Sequence, residues 1–222
     1  MESQRVYRAY RVLLKSIKTV SAAEDLVKIR RALDLAVKAC GKNLTTTGEP
    51  EIIHALSVAT IIAGEMGLGL TSIITALLHD SYDRLDISPE ELEKEFGQKV
   101  VLILKGFSRI TGINSMQSSF QAETFRKLLL SLADDVRVIL IKLVERLEMM
   151  RNLDKAPSGE RLPLASETYF LYAPLAHRLG YYNIKTEMED LAVKYLEPEQ
   201  YRYVDSRLKQ TTASRNRLIR EF

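Results

Sequence analysis

The sequence predicts an all-α fold, and three observations predict it. Apolar residues recur at three- and four-residue spacing over most of the 222 residues. No stretch alternates convincingly between polar and apolar with period two, as a half-buried strand would. Helix starts are marked by composition: Ser21 with Glu24, and Ser88 with Glu91 around Pro89, are capping-box patterns that satisfy two otherwise free backbone N–H groups.

In chain order, the first box precedes a helix carrying Leu26, Ile29, Leu33 and Val37. Helical periodicity then covers 52–66 and 72–79, and the second box opens another helix at Ser88. Further runs cover 120–133, 136–153, 164–179 and 184–196. Gly, Pro, Ser and Thr gather at 41–50, 67–69, 106–119 and 156–163, which read as breaks. The longest break, around Thr111, Gly112, Ile113, Asn114 and Ser115, is expected to be a mobile loop over a pocket. No internal repeat or low-complexity segment is present.

A chain that is 46% hydrophobic and 27% charged can bury one sizeable core without a disulfide or metal staple. Its 32 basic and 29 acidic residues leave a net charge of +3, too little to argue for a nucleic-acid binder unless the cations cluster. They do so mainly in the tail, from Arg202 to Arg220. The single cysteine, Cys40, excludes an intrachain disulfide and reads as a buried core thiol in a reducing compartment. No segment approaches the ~18 uninterrupted apolar residues of a membrane span, and the amino terminus lacks a signal-peptide core, so the expectation is a cytoplasmic protein with no membrane contact.

The candidate chemistry lies on three apolar helices. His54 follows the turn Gly48-Glu49-Pro50, His79 and Asp80 end the next helix, and Glu145 lies inside a third. A bundle can bring these four groups around one divalent cation, and imidazole with carboxylate suits Mn, Fe or Zn. On spacing alone, the favoured reading makes the histidines helix-end residues satisfied by backbone groups.

Five segments carry a resemblance that runs over about residues 32–201: GEPEIIHALSVA at 48–59, ALLHD at 76–80, TFRKLLLSLADDVRVILIKLVERL at 124–147, MRNL at 150–153 and YAPLAHRLGYYNIKTEMEDLAVKYLEP at 172–198. Together they closely resemble the amino-terminal hydrolase domain of the RelA/SpoT-type alarmone enzymes. The resemblance implies an HD-domain helical bundle at 1–155 and a carboxy-terminal helical extension at 156–222 leading to a synthetase domain beyond this chain. It implies a manganese-dependent hydrolase that removes the 3′-pyrophosphate of (p)ppGpp, joined to a synthetase that makes the alarmone from ATP and GDP or GTP. The expected partners are (p)ppGpp, that adjoining synthetase, and the ribosome through the full-length protein. The chain reads as a fragment of such an enzyme.

By this resemblance His54, His79 and Asp80 match three of the family's metal ligands, while Glu145 stands where the fourth is an Asp. The extra methylene moves the carboxylate by up to ~1.5 Å, against the ~0.2 Å that metal coordination tolerates, so Mn2+ binding is expected to be weakened or lost. The family's catalytic Glu-Asp pair appears as Asp83 and Arg84. A guanidinium has donors only, so Arg84 can neither accept a proton nor orient a water as a carboxylate does. The expected substrate pocket is altered as well. Thr45 and Thr46 replace an Arg-Lys pair, Glu51 replaces a Tyr, Ala55 replaces a Pro after His54, and Glu148 and Met149 replace a His-Asn pair; Arg151 completes the pocket.

These replacements add opposite charges, and the expectation is that Arg84 pairs with Glu145 or Glu148 in the electrostatic place of the metal, the alternative being Arg84 in solvent. His177 reads as structural, Tyr169, Tyr172, Tyr181 and Tyr182 as one packed aromatic cluster, and Arg126, Lys127, Arg137 and Lys142 as solvated helix faces. The basic tail at 207–220 is expected to continue a helix toward the synthetase, with RNA or ribosome contact as its alternative. Three functions remain: a degenerate hydrolase domain that scaffolds and regulates the ppGpp synthetase (GTP pyrophosphokinase), an active guanosine-3′,5′-bis(diphosphate) 3′-pyrophosphohydrolase, and an HD phosphohydrolase or binding module for another phosphorylated nucleotide.

Overall fold

The computed structural model describes residues 2–18, 22–111 and 135–221. The fold is all-α; among the described residues the extended pairing is a single backbone bridge between Leu44 and Pro50. The chain divides into two compact units, Met1–Ala156 and Pro157–Phe222.

In the first unit α1 spans Glu2–Ser16, α2 Ala23–Cys40, α3 Glu51–Gly64 and α4 Leu70–Leu78, followed by a 3-10 turn at Tyr82–Arg84. Then come α5 at Pro89–Phe96, α6 at Gln98–Thr111, α7 at Val136–Arg151 and a second 3-10 turn at Leu153–Lys155. Helix α3 buries Ile52, Leu56, Val58, Ile61 and Ile62 around its circumference, as a central helix must, and α1, α4 and α7 pack on it.

The second capping box forms as expected: Glu91 N–H donates to the Ser88 hydroxyl at 3.2 Å and Ser88 N–H to the Glu91 carboxylate at 3.0 Å. The first does not start α2. Its N-cap is Ala22 without a side-chain bond, Ser21 lies outside the described residues, and Glu24 and Asp25 instead set negative charge against the helix N-terminus. The break expected at 106 is also corrected, because α6 runs through Gly106 to Thr111. A Cβ on Gly106 would lie 3.0 Å from Val138 Cγ2, so this glycine serves the close approach of α6 and α7. The rest of that predicted loop and the run at 120–133, with Arg126 and Lys127, lie outside the described residues.

Asp135 caps α7: its carboxylate accepts from Arg137 N–H at 2.9 Å and from the Arg137 guanidinium at 2.9 and 2.6 Å. Those side-chain bonds hold the Asp135 carboxyl below the usual carboxylate range against the opposing effect of burial. Asp135→Ala is therefore expected to cost about 1 kcal/mol near neutral pH, the usual worth of an N-cap. A carboxyl depressed in the folded state stabilises above its unfolded pKa and stops doing so as pH falls through the folded value. The difference between wild type and variant, read from urea midpoints, should shrink through the acid range below the ordinary carboxylate pKa.

The second unit contains α8 at Ser158–Glu167, a π turn at Thr168–Tyr172, α9 at Ala173–Arg178, α10 at Tyr182–Leu196 and α11 at Pro198–Glu221. The break expected to reach 163 ends at the N-cap Pro157, and Pro163 lies within α8. The single periodic run at 164–179 becomes three helical pieces, with the π turn absorbing the misfit and the Thr168 hydroxyl donating to the Leu164 carbonyl at 2.7 Å. The expected tyrosine cluster resolves differently. Tyr169 meets Phe170 edge-on, exposed Tyr182 meets exposed His177 edge-on at 5.2 Å, and Tyr172 is buried. The basic tail is helical to Glu221. No helix among the described residues is long and apolar enough to cross a membrane.

Candidate metal centre

His54 lies in the first turn of α3, placed there by the N-cap Pro50, and its side chain faces the core. His79 is the C-cap of α4, and Asp80 follows as the chain leaves the helix. One ligand atom from each of His54, His79 and Asp80 can be chosen so that all lie within 4.8 Å of one another.

The hydrogen bonds of both rings matter more than the distances. His79 Nδ1 is 2.7 Å from the Ala76 carbonyl, which can only accept, so Nδ1 carries the proton. Nε2 of the neutral ring is then a lone pair, buried, without a hydrogen-bond partner, 3.3 Å from Asp80 Oδ1. His54 Nδ1 donates to Glu148 Oε2, and His54 Nε2 stands 3.6 Å from Asp80 Oδ2. Electron-rich atoms facing one another in a buried site leave a place for a cation. Two imidazole nitrogens and a carboxylate fit a divalent transition ion, so the donor set suits such a metal.

Charge follows the same geometry. Burial disfavours protonated His54, but the hydrogen bond and charge of Glu148, with Asp80 and Glu145, raise its pKa above the ordinary imidazole value. Burial also opposes ionisation of Asp80, yet the charge that His79 and His54 carry when protonated, with Lys142 and Arg84, holds its carboxyl below the usual range.

The expected fourth ligand, Glu145, is not in the cluster. Its carboxylate lies against the Lys142 ammonium, at 2.7 Å from Oε2 and 3.0 Å from Oε1, with both side chains largely buried. Lys142 is thus not a solvated helix face: its ammonium also sits 4.5 Å from the centroid of the Phe107 ring. Arg137, bound to Asp135, is likewise engaged.

The expected pairing of Arg84 is corrected too. Arg84 Nη2 donates to Glu51 Oε2, not to Glu145 or Glu148. Glu51 opens α3 beside the 3-10 turn that carries Arg84, whereas Lys142 holds Glu145, and His54 and Asn152 hold Glu148. Asp83 is exposed and accepts from the Ser108 hydroxyl at 3.0 and 3.3 Å. Among the expected pocket residues, the Thr45 hydroxyl donates to the Glu49 carbonyl at 3.2 Å within a turn that Gly48 closes at φ +74. Thr46 is exposed and Met149 half-buried, while Arg151 forks onto Glu65 at 3.1 and 3.2 Å.

Two residues around the site went unread in the sequence. Asn152 could have been found from its position four residues after Glu148 on one helix face. Ser108, 25 residues from Asp83, left no local signal. Cys40 is 1% exposed, and burial, with the anions Glu51 and Asp80, pushes its thiol pKa up to about 12. It should therefore stay unmodified by an aromatic disulfide reagent at pH 8 and react only when urea unfolds the chain; rapid modification of the folded protein would contradict its burial.

Comparison with known proteins places this geometry in context. A family model described as HD domain matches residues 32–182. The guanosine-3′,5′-bis(diphosphate) 3′-pyrophosphohydrolase of Aquifex aeolicus (strain VF5) is 41% identical over 214 residues, covering 91% of this chain and 30% of that protein. The GTP pyrophosphokinase of Myxococcus xanthus is 37% identical over 201 residues, covering 89% of this chain and 26% of that protein. The bifunctional (p)ppGpp synthase/hydrolase SpoT of Escherichia coli (strain K12) is 35% identical over 207 residues, covering 93% and 29%. The chain thus spans less than a third of these curated relatives. A solved structure described as a metazoan ortholog of SpoT that hydrolyzes ppGpp superposes with a TM-score of 0.56 at 19% identity, covering 78% of this chain and 96% of that one, a likeness of fold.

Proposed function

Because the chain belongs to the HD-domain family, as an amino-terminal HD domain of the RelA/SpoT type, we propose that it is a hydrolase-type domain for (p)ppGpp whose hydrolytic activity is lost or strongly impaired. Its remaining role is to scaffold and regulate an adjoining ppGpp synthetase in the cytoplasm. His54, His79 and Asp80 would hold the cation, Mn2+ by family resemblance, and when bound it would polarise a phosphate oxygen and acidify a water.

The observation that carries the reading is the engagement of Glu145 by Lys142, which turns the carboxylate at the family's fourth ligand position toward an internal cation. Arg84 acts in the same direction. Bound to Glu51, it presents donors where a water-orienting carboxylate is needed, and loss of general acid–base catalysis is worth ~10²–10⁴ in rate. A specific observation favours the second reading, an active 3′-pyrophosphohydrolase: the His54, His79 and Asp80 cluster is assembled, and Ser108 holds Asp83.

Incubation of the chain with ppGpp and excess Mn2+, following GDP and pyrophosphate release, separates the two. No turnover above background is expected, and partial gain in an Arg84→Asp, Glu145→Asp double variant would locate the defect. Turnover by the unsubstituted chain at an ordinary enzymatic rate would overturn the proposal in favour of the active hydrolase.

A further inference from the structure

We infer that Glu148 is a positioning residue that sets the His54 ring to present its Nε2 lone pair to a divalent cation. The inference rests on the metal reading above and concerns a residue that family resemblance assigned to the substrate pocket. Glu148 lies on α7 and His54 on α3, 94 residues apart in sequence. The Glu148 side chain is only 6% exposed, so its carboxylate must be satisfied from within the protein. It accepts from His54 Nδ1 through Oε2 and from Asn152 Nδ2 at 2.8 Å through Oε1. The Asn152 amide is itself oriented, because its Oδ1 accepts from the Lys155 ammonium at 2.7 Å while Nδ2 also donates to the Glu148 carbonyl at 3.1 Å. A connected line of hydrogen bonds therefore runs from exposed Lys155 through Asn152 and Glu148 to the buried ring.

The chemical consequence lies on the far side of that ring. A neutral imidazole carries one N–H, and the acceptor at one nitrogen decides which. With Glu148 at Nδ1, the Nε2 facing Asp80 is a lone pair; without it, free imidazole prefers the proton on Nε2 and would turn a donor into the cluster. His79 is set in the same sense by the Ala76 carbonyl, so both rings aim lone pairs at the Asp80 carboxylate. A carboxylate behind a ligating histidine is a recurrent device that fixes ring orientation and raises ligand basicity.

The test uses the 222-residue chain with Mn2+ alone as probe, comparing the unsubstituted protein with Glu148→Gln, Asn152→Ala and His54→Ala. Circular dichroism first confirms that each variant is folded. Titration of free Mn2+ by electron paramagnetic resonance is expected to show binding by the unsubstituted chain, none by His54→Ala, and about 10–100-fold weaker binding by Glu148→Gln. The second readout needs no metal: imidazole nitrogen shifts at pH 9 should place the His54 proton on Nδ1 in the unsubstituted chain and move it toward Nε2 in Glu148→Gln, because Asn152 Nδ2 keeps the amide oxygen on its side and turns the amide NH2, a donor, toward the ring. Asn152→Ala should leave the proton in place and weaken binding less. Equal Mn2+ affinity in Glu148→Gln, or an unchanged His54 tautomer, overturns the inference. Absence of Mn2+ binding by the unsubstituted chain overturns the metal reading itself, and the nitrogen shifts then decide alone whether Glu148 sets the ring.

Discussion

Phe107→Ala is expected to lower unfolding free energy by about 3–5 kcal/mol, the range for truncating a fully buried phenylalanine. Phe107 is 1% exposed on α6, among the largest fully buried side chains. It touches two parts of the site: its ring meets the His79 ring edge-on at 4.9 Å and an interplanar angle of 86°, and the Lys142 ammonium lies 4.5 Å from its centroid. Truncation leaves a cavity and removes the aromatic face from a buried cation, two losses at one position. Urea unfolding gives the measure, since a lower midpoint with unchanged slope reports stability alone. Phe107→Leu separates the causes. It keeps most of the volume but not the ring, and should cost clearly less than the alanine change; equal costs would mean that the ring contacts, not the cavity, dominate.

Lys142→Met is expected to act on stability and metal binding in opposite directions. The ammonium and the Glu145 carboxylate have side-chain exposures of 11% and 13%, so neither is well solvated. Removing the cation leaves Glu145 without that charge partner, at about 1–3 kcal/mol for a desolvated acceptor and more if it stays charged. Methionine keeps an unbranched apolar stem of similar length, so the cavity contribution should be small. The same change removes a positive charge that acts on Asp80 and frees Glu145 to turn toward the cluster. Affinity for Mn2+ should therefore rise while the urea midpoint falls. A fall in both would place Lys142 in support of the site, contrary to the competition argued here.

Much of the fold was legible because its signals are local. The apolar runs at 52–66, 136–153 and 184–196 correspond to α3, α7 and α10, and the Ser88 box formed as read. Misreadings came where a residue had two uses. Gly106 reads as a breaker but serves a helix contact, and Pro163 reads as a boundary but lies within a helix that continues into a π turn. Ser21 makes a plausible cap, yet α2 begins after Ala22. At the site, the residue types that can ligate a cation were visible, and His54, His79 and Asp80 do converge.

The sequence by itself determined the all-α class and the resemblance to its family, because periodicity, capping and residue identity are properties of short stretches. Only the tertiary structure decided which charge meets which. Arg84 was expected to pair with Glu145 or Glu148, and it binds Glu51, 33 residues away on α3. Glu145 was read as a ligand and is engaged by Lys142 one turn earlier, while Glu148 was read as part of a pocket and lies behind His54. Charge pairing depends on distance and burial together, and both are set by how α3, α4, α6 and α7 pack rather than by spacing along the chain.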